Sequence, residues 1–328
     1  MDSKYWNKIL LILRGINMYK DKKTQIATMA IVIILFTSTL LFCSGINFGP
    51  VSAVKKKTKK ISNLESATTN NSNWTILTSP LDGNYEVGNY KLTSVNSPYI
   101  VVSNINLTDN SNLYIEPRVE IKFSGSYSFS FAGNVTALGT SASPIKFTSN
   151  KVSPNPGDYQ GVNLGSDERT VDINYVIFEY SMGIHIHGNS SSKVTNCTFK
   201  DNNSNVLYSY LSGQIKYCNI ERGINIQRGT DISYCNIRDN GIPASLATIF
   251  VMSSPFPQFI LNNCNLEKTS NGYIIQCNNL GDSDITNNWW NTTVSTTIAN
   301  YIYSPNSSSG IFNYQPFLTS PVSNAGPQ

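Results

Sequence analysis

Along the second half of the chain, apolar positions return in one six-residue phrase. It reads INYVIF from Ile173, VTNCTF from Val194, IKYCNI from Ile215, ISYCNI from Ile232, LNNCNL from Leu261 and ITNNWW from Ile285. The starts lie 21, 21, 17, 29 and 24 residues apart, about 22 on average. A second apolar beat follows about ten residues into most copies: GIHI at Gly183, GINI at Gly223, GI at Gly241 and GYII at Gly272. A period of 20–30 residues with two or three short β-like beats per unit predicts a solenoid. A leucine-rich repeat would show a regular Leu skeleton and a helical segment, and a propeller blade needs ~40 residues. Short strands that hold register while turns absorb insertions describe a parallel β-helix, an all-β fold.

Columns read down the copies sharpen this picture. The sixth position is Phe178, Phe199, Ile220, Ile237, Leu266 and Trp290, always apolar. The fourth is Val176, Cys197, Cys218, Cys235, Cys264 and Asn288. The two positions share parity, so on one short strand both point inward. A vertical stack spaces its members by the ~4.8 Å strand separation along a line, whereas zinc needs ligands converging on a point. That separation also exceeds the ~3.8 Å mean Cβ spacing of a disulfide. Cys197, Cys218, Cys235 and Cys264 therefore read as a structural ladder of buried thiols acting as small hydrophobes. The next two columns, Glu179, Lys200, Glu221, Arg238, Glu267 and Tyr180, Asp201, Arg222, Asp239, Lys268, alternate in sign and read as outward charge ladders.

Composition agrees with an all-β chain. Only 13% of the 328 residues are charged, and β-branched, aromatic, Asn and Gly residues abound. Residues 1–53 differ: QIATMAIVIILFTSTLLFC follows Lys20, Lys22 and Lys23, and VSA at Val51–Ala53 supplies small residues at cleavage spacing. They read as a signal peptide or signal anchor, a hydrophobic segment able to contact the membrane. The expected location is extracellular or cell-surface, secreted or anchored through that segment. Residues 54–75 read as a basic, then polar linker, 76–318 as the β-helix domain with a C-terminal cap at 287–318, and 319–328 as a tail. Nine N-x-S/T sequons, beginning at Asn70 and ending at Asn306, fit an exported glycoprotein. Most of the formal +4 charge sits in the N-terminal flank. From residue 61 onward, 13 Lys and Arg face 18 Asp and Glu, so no nucleic-acid footprint remains.

Several segments resemble the right-handed parallel β-helix repeat proteins of the pectate-lyase-like superfamily, of the prokaryotic and archaeal cell-surface, adhesin-like type. LYIEPRVEIKF at Leu113–Phe123 is similar to that family's L-x-I-x-P-G-V-x-I-x-F coil, with Arg118 at the usual Gly. ALGTSASPIKFTS at Ala137–Ser149 and GDYQGVNL at Gly157–Leu164 resemble the coils that follow. NNWWNTTVSTTIANYIYSPNSSSGIFNYQPFL at Asn287–Leu318 resembles its C-terminal cap, with Asn291 at another usual Gly. The resemblance covers roughly residues 100–318. It implies a single-stranded right-handed β-helix closed by a short helix, with Val294, Ile298 and Ile302 laying one face over the last coil.

The superfamily hosts lyases, hydrolases and silent adhesins alike, so function rests on particular residues. Glycosidase-like chemistry needs carboxyl groups ~5–9.5 Å apart on one face. The candidate catalytic carboxylates are Asp158, Asp167, Glu168 and Asp172, with Arg169 between them, and a solvated loop explains them equally. His185 and His187 share one outward strand face and are the candidate metal ligands, although no third ligand accompanies them. If Ile184 and Ile186 stack under Val206 and Tyr208, the histidine columns continue as Leu207 and Ser209, then Asn225 and Gln227. No cofactor fingerprint is present. The leading expectation is a non-catalytic surface protein for adhesion or envelope structure, with envelope polysaccharide or another surface protein as partner. The alternatives are a carbohydrate-active enzyme, which needs stacked acids and a base in a groove, and a sugar-binding module, which needs an exposed aromatic row.

Overall fold

Apolar residues at alternate positions in three- to five-residue runs leave each strand one inward face, and parallel pairing with the next coil buries it. The computed structural model describes residues 74–203, 207–239, 247–251, 259–268, 272–277, 283–303 and 312–328. Strands form three parallel ladders. The first face is an eleven-stranded sheet running from Thr75–Ile76 through Val171–Asn174, Lys193–Thr195, Gln214–Lys216 and Asp231–Ser233 to Phe312–Asn313. The second face includes Glu120–Phe123, Ile145–Ser149, Val176–Glu179, Thr198–Lys200, Asn219–Glu221, Asn236–Arg238 and Asn265–Glu267. The third includes Ser128–Phe131, Gly161–Leu164, Ile184–Gly188, Leu207–Leu211, Ile224–Ile226 and Ile249–Val251. The nine-residue strand Tyr99–Leu107 joins the second and third faces, pairing through Tyr99–Val101 with one and Ile105–Leu107 with the other. The protein is thus all-β, with long parallel stacked sheets of a kind compatible with a β-helix.

The sixth-position column is inside: Phe178, Phe199, Ile220, Ile237, Leu266 and Trp290 are at most 1% exposed. Phe147, Phe178 and Phe199 stack face to face at 5.1 and 5.2 Å, so their register is set by ring on ring.

Between the first and second faces the chain turns on a single residue per coil. Tyr175, Asn196, Tyr217, Tyr234, Asn263 and Asn287 all have φ between 49° and 56°. Asn tolerates this left-handed region, whereas a larger side chain pays about 1–2 kcal/mol for it. The turn aims the next residue's N–H along the stack instead of across it. There the cysteines act. Cys197 N–H donates to Cys218 Sγ, Cys218 N–H to Cys235 Sγ and Cys235 N–H to Cys264 Sγ, each at 3.4 Å. Each thiol in turn donates to the carbonyl two residues before it, at 3.1–3.3 Å. Asn288 closes the series, accepting Cys264 N–H at 2.9 Å and donating to Leu261 and Ile285 carbonyls. The four cysteines are free and buried, but they are hydrogen-bonding caps as well as small hydrophobes. Burial pushes the Cys218 and Cys264 thiols up, so they remain protonated donors.

Other expectations change. The capping helix is only Ser295–Asn300: Ile298 is buried, Val294 is 52% exposed and Ile302 lies in a two-residue strand. Six residues make under two turns, too few to present Val294 and Ile302 with Ile298 on one face. Arg118 and Asn291, standing where the resemblance expects glycine, keep the left-handed turn at φ 71° and 56°. The charge ladders close only in part. Glu179 lies 3.3 Å from Lys200 and 3.7 Å from Lys146, and Arg238 lies 3.0 Å from Glu267. Glu221 has no ion pair among the described residues. Asp239, expected outside, is fully buried and 3.6 Å from Lys268. The hydrophobic N-terminal segment lies outside the described residues, among which no helix is long and apolar enough to cross a membrane.

Two outcomes test this account. Removing an acceptor from a buried N–H costs about 1–3 kcal/mol. Cys218→Ala should therefore lower the melting temperature more than Cys218→Ser; the opposite order would leave the thiols as hydrophobes only. Glu179, 9% exposed at its side chain, also accepts from Thr148 Oγ1 at 2.8 Å. Its lysine partners are 33% and 40% exposed, so screening limits Glu179→Gln to a loss of about 1–2 kcal/mol. Glu221→Gln should cost under about 0.5 kcal/mol in the same thermal melts.

Candidate functional site

The third face carries a row of outward hydrogen-bonding groups that includes both histidines. Its inward residues fix which side chains point out. Ile184 pairs with Leu207 and Ile186 with Ser209, placing His185 over Tyr208 and His187 over Tyr210. This register is one residue off the expected one, which had set Val206 and Tyr208 over the two isoleucines. A one-residue slip exchanges every inward and outward side chain. Leu207 is the residue that fills the apolar column, and Val206 falls outside the described residues.

Four rings stack in consequence. His185 and Tyr208 lie 4.5 Å apart at 9°, and His187 and Tyr210 lie 4.2 Å apart at 0°. Stacking along the column covers one face of each ring. All four side chains are half-buried, and His187 turns Nδ1 toward Asp167. Asn163 precedes His185 in register and Asn225 follows Tyr208, with Gln227 donating to Asn225 Oδ1. Phe250 pairs with Asn225 in the coil after that.

The carboxylates predicted from sequence are dispersed. Asp167 lies 3.4 Å from His187 Nδ1 and accepts from Arg228, which reaches back from three coils further on. Asp158 is pinned elsewhere: it accepts from Ser149 Oγ at 2.7 Å, Lys151 Nζ at 2.6 Å and Asn155 N–H at 3.1 Å. Burial works to raise its pKa, yet Lys151 and Ser149 outweigh that and hold the carboxyl below its usual value. Glu168 is exposed. Asp172 points out from the first face, paired in register with Lys193. No hydrogen bond or ion pair links Asp167 with Asp158, Glu168 or Asp172 among the described residues. A recess of about 400 Å³ is lined by Ser94, Ser97, Arg118, Glu120, Ser143 and Lys146, and holds none of these carboxylates.

His185 and His187 project from one strand with Asp167 beside the second, but no group of three His, Cys, Asp or Glu side chains able to hold a metal occurs among the described residues. Sequence reasoning missed Tyr208, Tyr210 and Arg228. The tyrosines were hidden by the slipped register; Arg228 reaches Asp167 only through the fold. Comparison of the chain with protein-family models, with curated proteins and with solved structures finds no match.

Burial, then His187 beside it, lowers the His185 pKa. The ring is therefore neutral in the fold at pH 7, whereas the unfolded chain takes up a proton below about 6.5. Stability from this group is present above that value and is lost as pH falls from it toward the lower folded pKa. NMR titration should place the His185 midpoint below about 6.5, and His185→Gln should flatten the pH dependence of melting in that window.

Proposed function

We propose that this protein is an exported, non-catalytic surface module, a right-handed parallel β-helix of the pectate-lyase-like type, used for adhesion to the cell envelope. In this reading residues 76–318 form the β-helix and residues 1–53 direct export or anchor it. Its third face holds a polyhydroxylated polymer laid along the coil axis. One observation carries this: Asn163, His185, Tyr208 and Asn225 put a neutral hydrogen-bonding group outward on each of four successive coils. A polymer of repeating units meets such a row at coil after coil, and weak contacts add along one chain. With one face of each ring covered by its neighbour, recognition runs mainly through hydroxyl, imidazole and amide groups.

A second reading, a polysaccharide lyase or hydrolase, draws on the Asp167–His187 contact with Arg228 beside it. Both readings meet the same experiment: the full chain titrated calorimetrically with neutral, uronic-acid and amino-sugar envelope polysaccharides, with reaction products assayed. The expected outcome is binding without turnover. Tyr208→Phe with Tyr210→Phe keeps the stacks and removes two hydroxyls, worth roughly 1–3 kcal/mol, or about 5- to 150-fold in affinity. Turnover abolished by Asp167→Asn would establish the enzyme, and no binding to any polymer would remove the polysaccharide reading.

A further inference from the structure

Residues 319–328, TSPVSNAGPQ, carry nothing of the coil phrase, yet they lie against the second face along the stack. Leu318 N–H donates to the Asn288 carbonyl at 2.9 Å, and from there the segment runs back toward earlier coils. Val322 makes two bonds to Asn265: its N–H donates to Oδ1 at 2.8 Å and its carbonyl accepts from Nδ2 at 3.0 Å. The Ala325 carbonyl accepts from Asn236 Nδ2 at 3.1 Å, and Gly326 N–H donates to the Tyr234 carbonyl at 2.9 Å. Gln328 N–H donates to Asn196 Oδ1 at 3.1 Å, and its carbonyl accepts the Tyr175 hydroxyl. The path crosses five coil steps, ~24 Å at the strand separation, within the ~33 Å that ten extended residues reach.

The receiving surface is a column of amides. Asn236 Nδ2 donates to Asn219 Oδ1 and Asn265 Nδ2 to Asn236 Oδ1, both at 2.8 Å. That chain orients the amides so that Asn265 and Asn236 can offer their remaining groups outward. All of these contacts with the segment go to its main chain, while Ser323 and Asn324 point to solvent. One position is selective. Gly326 has φ +92°, and a Cβ there would meet Asn219 Oδ1 and Asn236 Nδ2, each at 2.7 Å.

We propose that this amide column is a peptide-binding site that reads the main chain of a segment turned at Val322–Ala325, where Ala325 N–H donates to the Val322 carbonyl at 3.3 Å, and that it requires glycine at one position, with residues 319–328 as its resident ligand. None of the contacts depends on the covalent link to Leu318, so the same segment supplied separately fits the same groups. A few main-chain hydrogen bonds, each worth about 0.5–1.5 kcal/mol net, make a weak site. The tether holds it closed by presenting the segment at roughly millimolar effective concentration.

The test uses the full chain, isotopically labelled, with Gly326→Val. The substitution should release residues 319–328, seen as new carboxypeptidase trimming and shifted Asn236 and Asn265 side-chain amide signals. Synthetic TSPVSNAGPQ at about millimolar concentration should then restore the original signals, while the peptide with Val for Gly should not. The unsubstituted protein, already occupied, should respond to the peptide at least about tenfold more weakly. The proposal is overturned if the variant retains its own segment, if the freed column ignores the glycine peptide, or if it takes both peptides alike. Should Gly326→Val fail to fold, a protease site replacing Thr319–Ser320 allows cutting after folding. Labelled peptide should then exchange into the cut protein, and failure to exchange overturns the proposal equally.

Discussion

The structure depends on one obligation: a buried backbone N–H at each turn between the first and second faces must find an acceptor. Strands satisfy their own donors by pairing with neighbours, but a single left-handed residue between two faces breaks that pattern once per coil. At the turns of Asn196, Tyr217, Tyr234 and Asn263 the following coil supplies the acceptor from a side chain, so these coils are joined by caps as well as by strands. The side chain has to be small, buried and able to accept along the axis while disposing of its own proton. A thiol does this by donating to the carbonyl two residues back. Asn288 does it at the end of the series, where its amide also takes two carbonyls near the final coil. The repeat of cysteine is therefore a consequence of the turn, not of redox or metal chemistry.

That dependence explains what could be read from the sequence and what could not. Parity alone placed Phe178, Phe199 and Ile220 inside and the cysteines beside them, because alternation within a strand is a local property. The left-handed turn was written in the same phrase as Tyr or Asn before the capping residue. It went unread because Tyr is a poor marker of positive φ and stands at three of the six positions. Register at the strand Leu207–Leu211 was less accessible: pairing of Leu207 with Ile184 settles that Tyr208 points out. Charge was harder still. The alternating column suggested uniform pairing, yet Glu179 is held between two lysines while Asp239 is drawn inside against Lys268.

The two surfaces with chemistry to offer differ in how they arise from the same stacking. On the third face, side chains at equivalent positions form rows in which each imidazole stacks on the tyrosine of the next coil. Such a row has one contact per coil, which suits a long partner more than a small one. On the second face, the amide column engages main chain. A main-chain reader leaves almost no trace in the sequence of its ligand beyond a glycine where a Cβ would collide, so TSPVSNAGPQ looked like a featureless tail. Dispersed carboxylates complete the contrast. Asp158 is committed to the Ser149–Lys151 loop and Asp167 to Arg228 and His187, while Asp172 stands on the first face. A solenoid brings together what lies at the same phase of neighbouring coils, and these acids lie at different phases. Repetition along the axis, rather than convergence on a point, is what this chain has to work with.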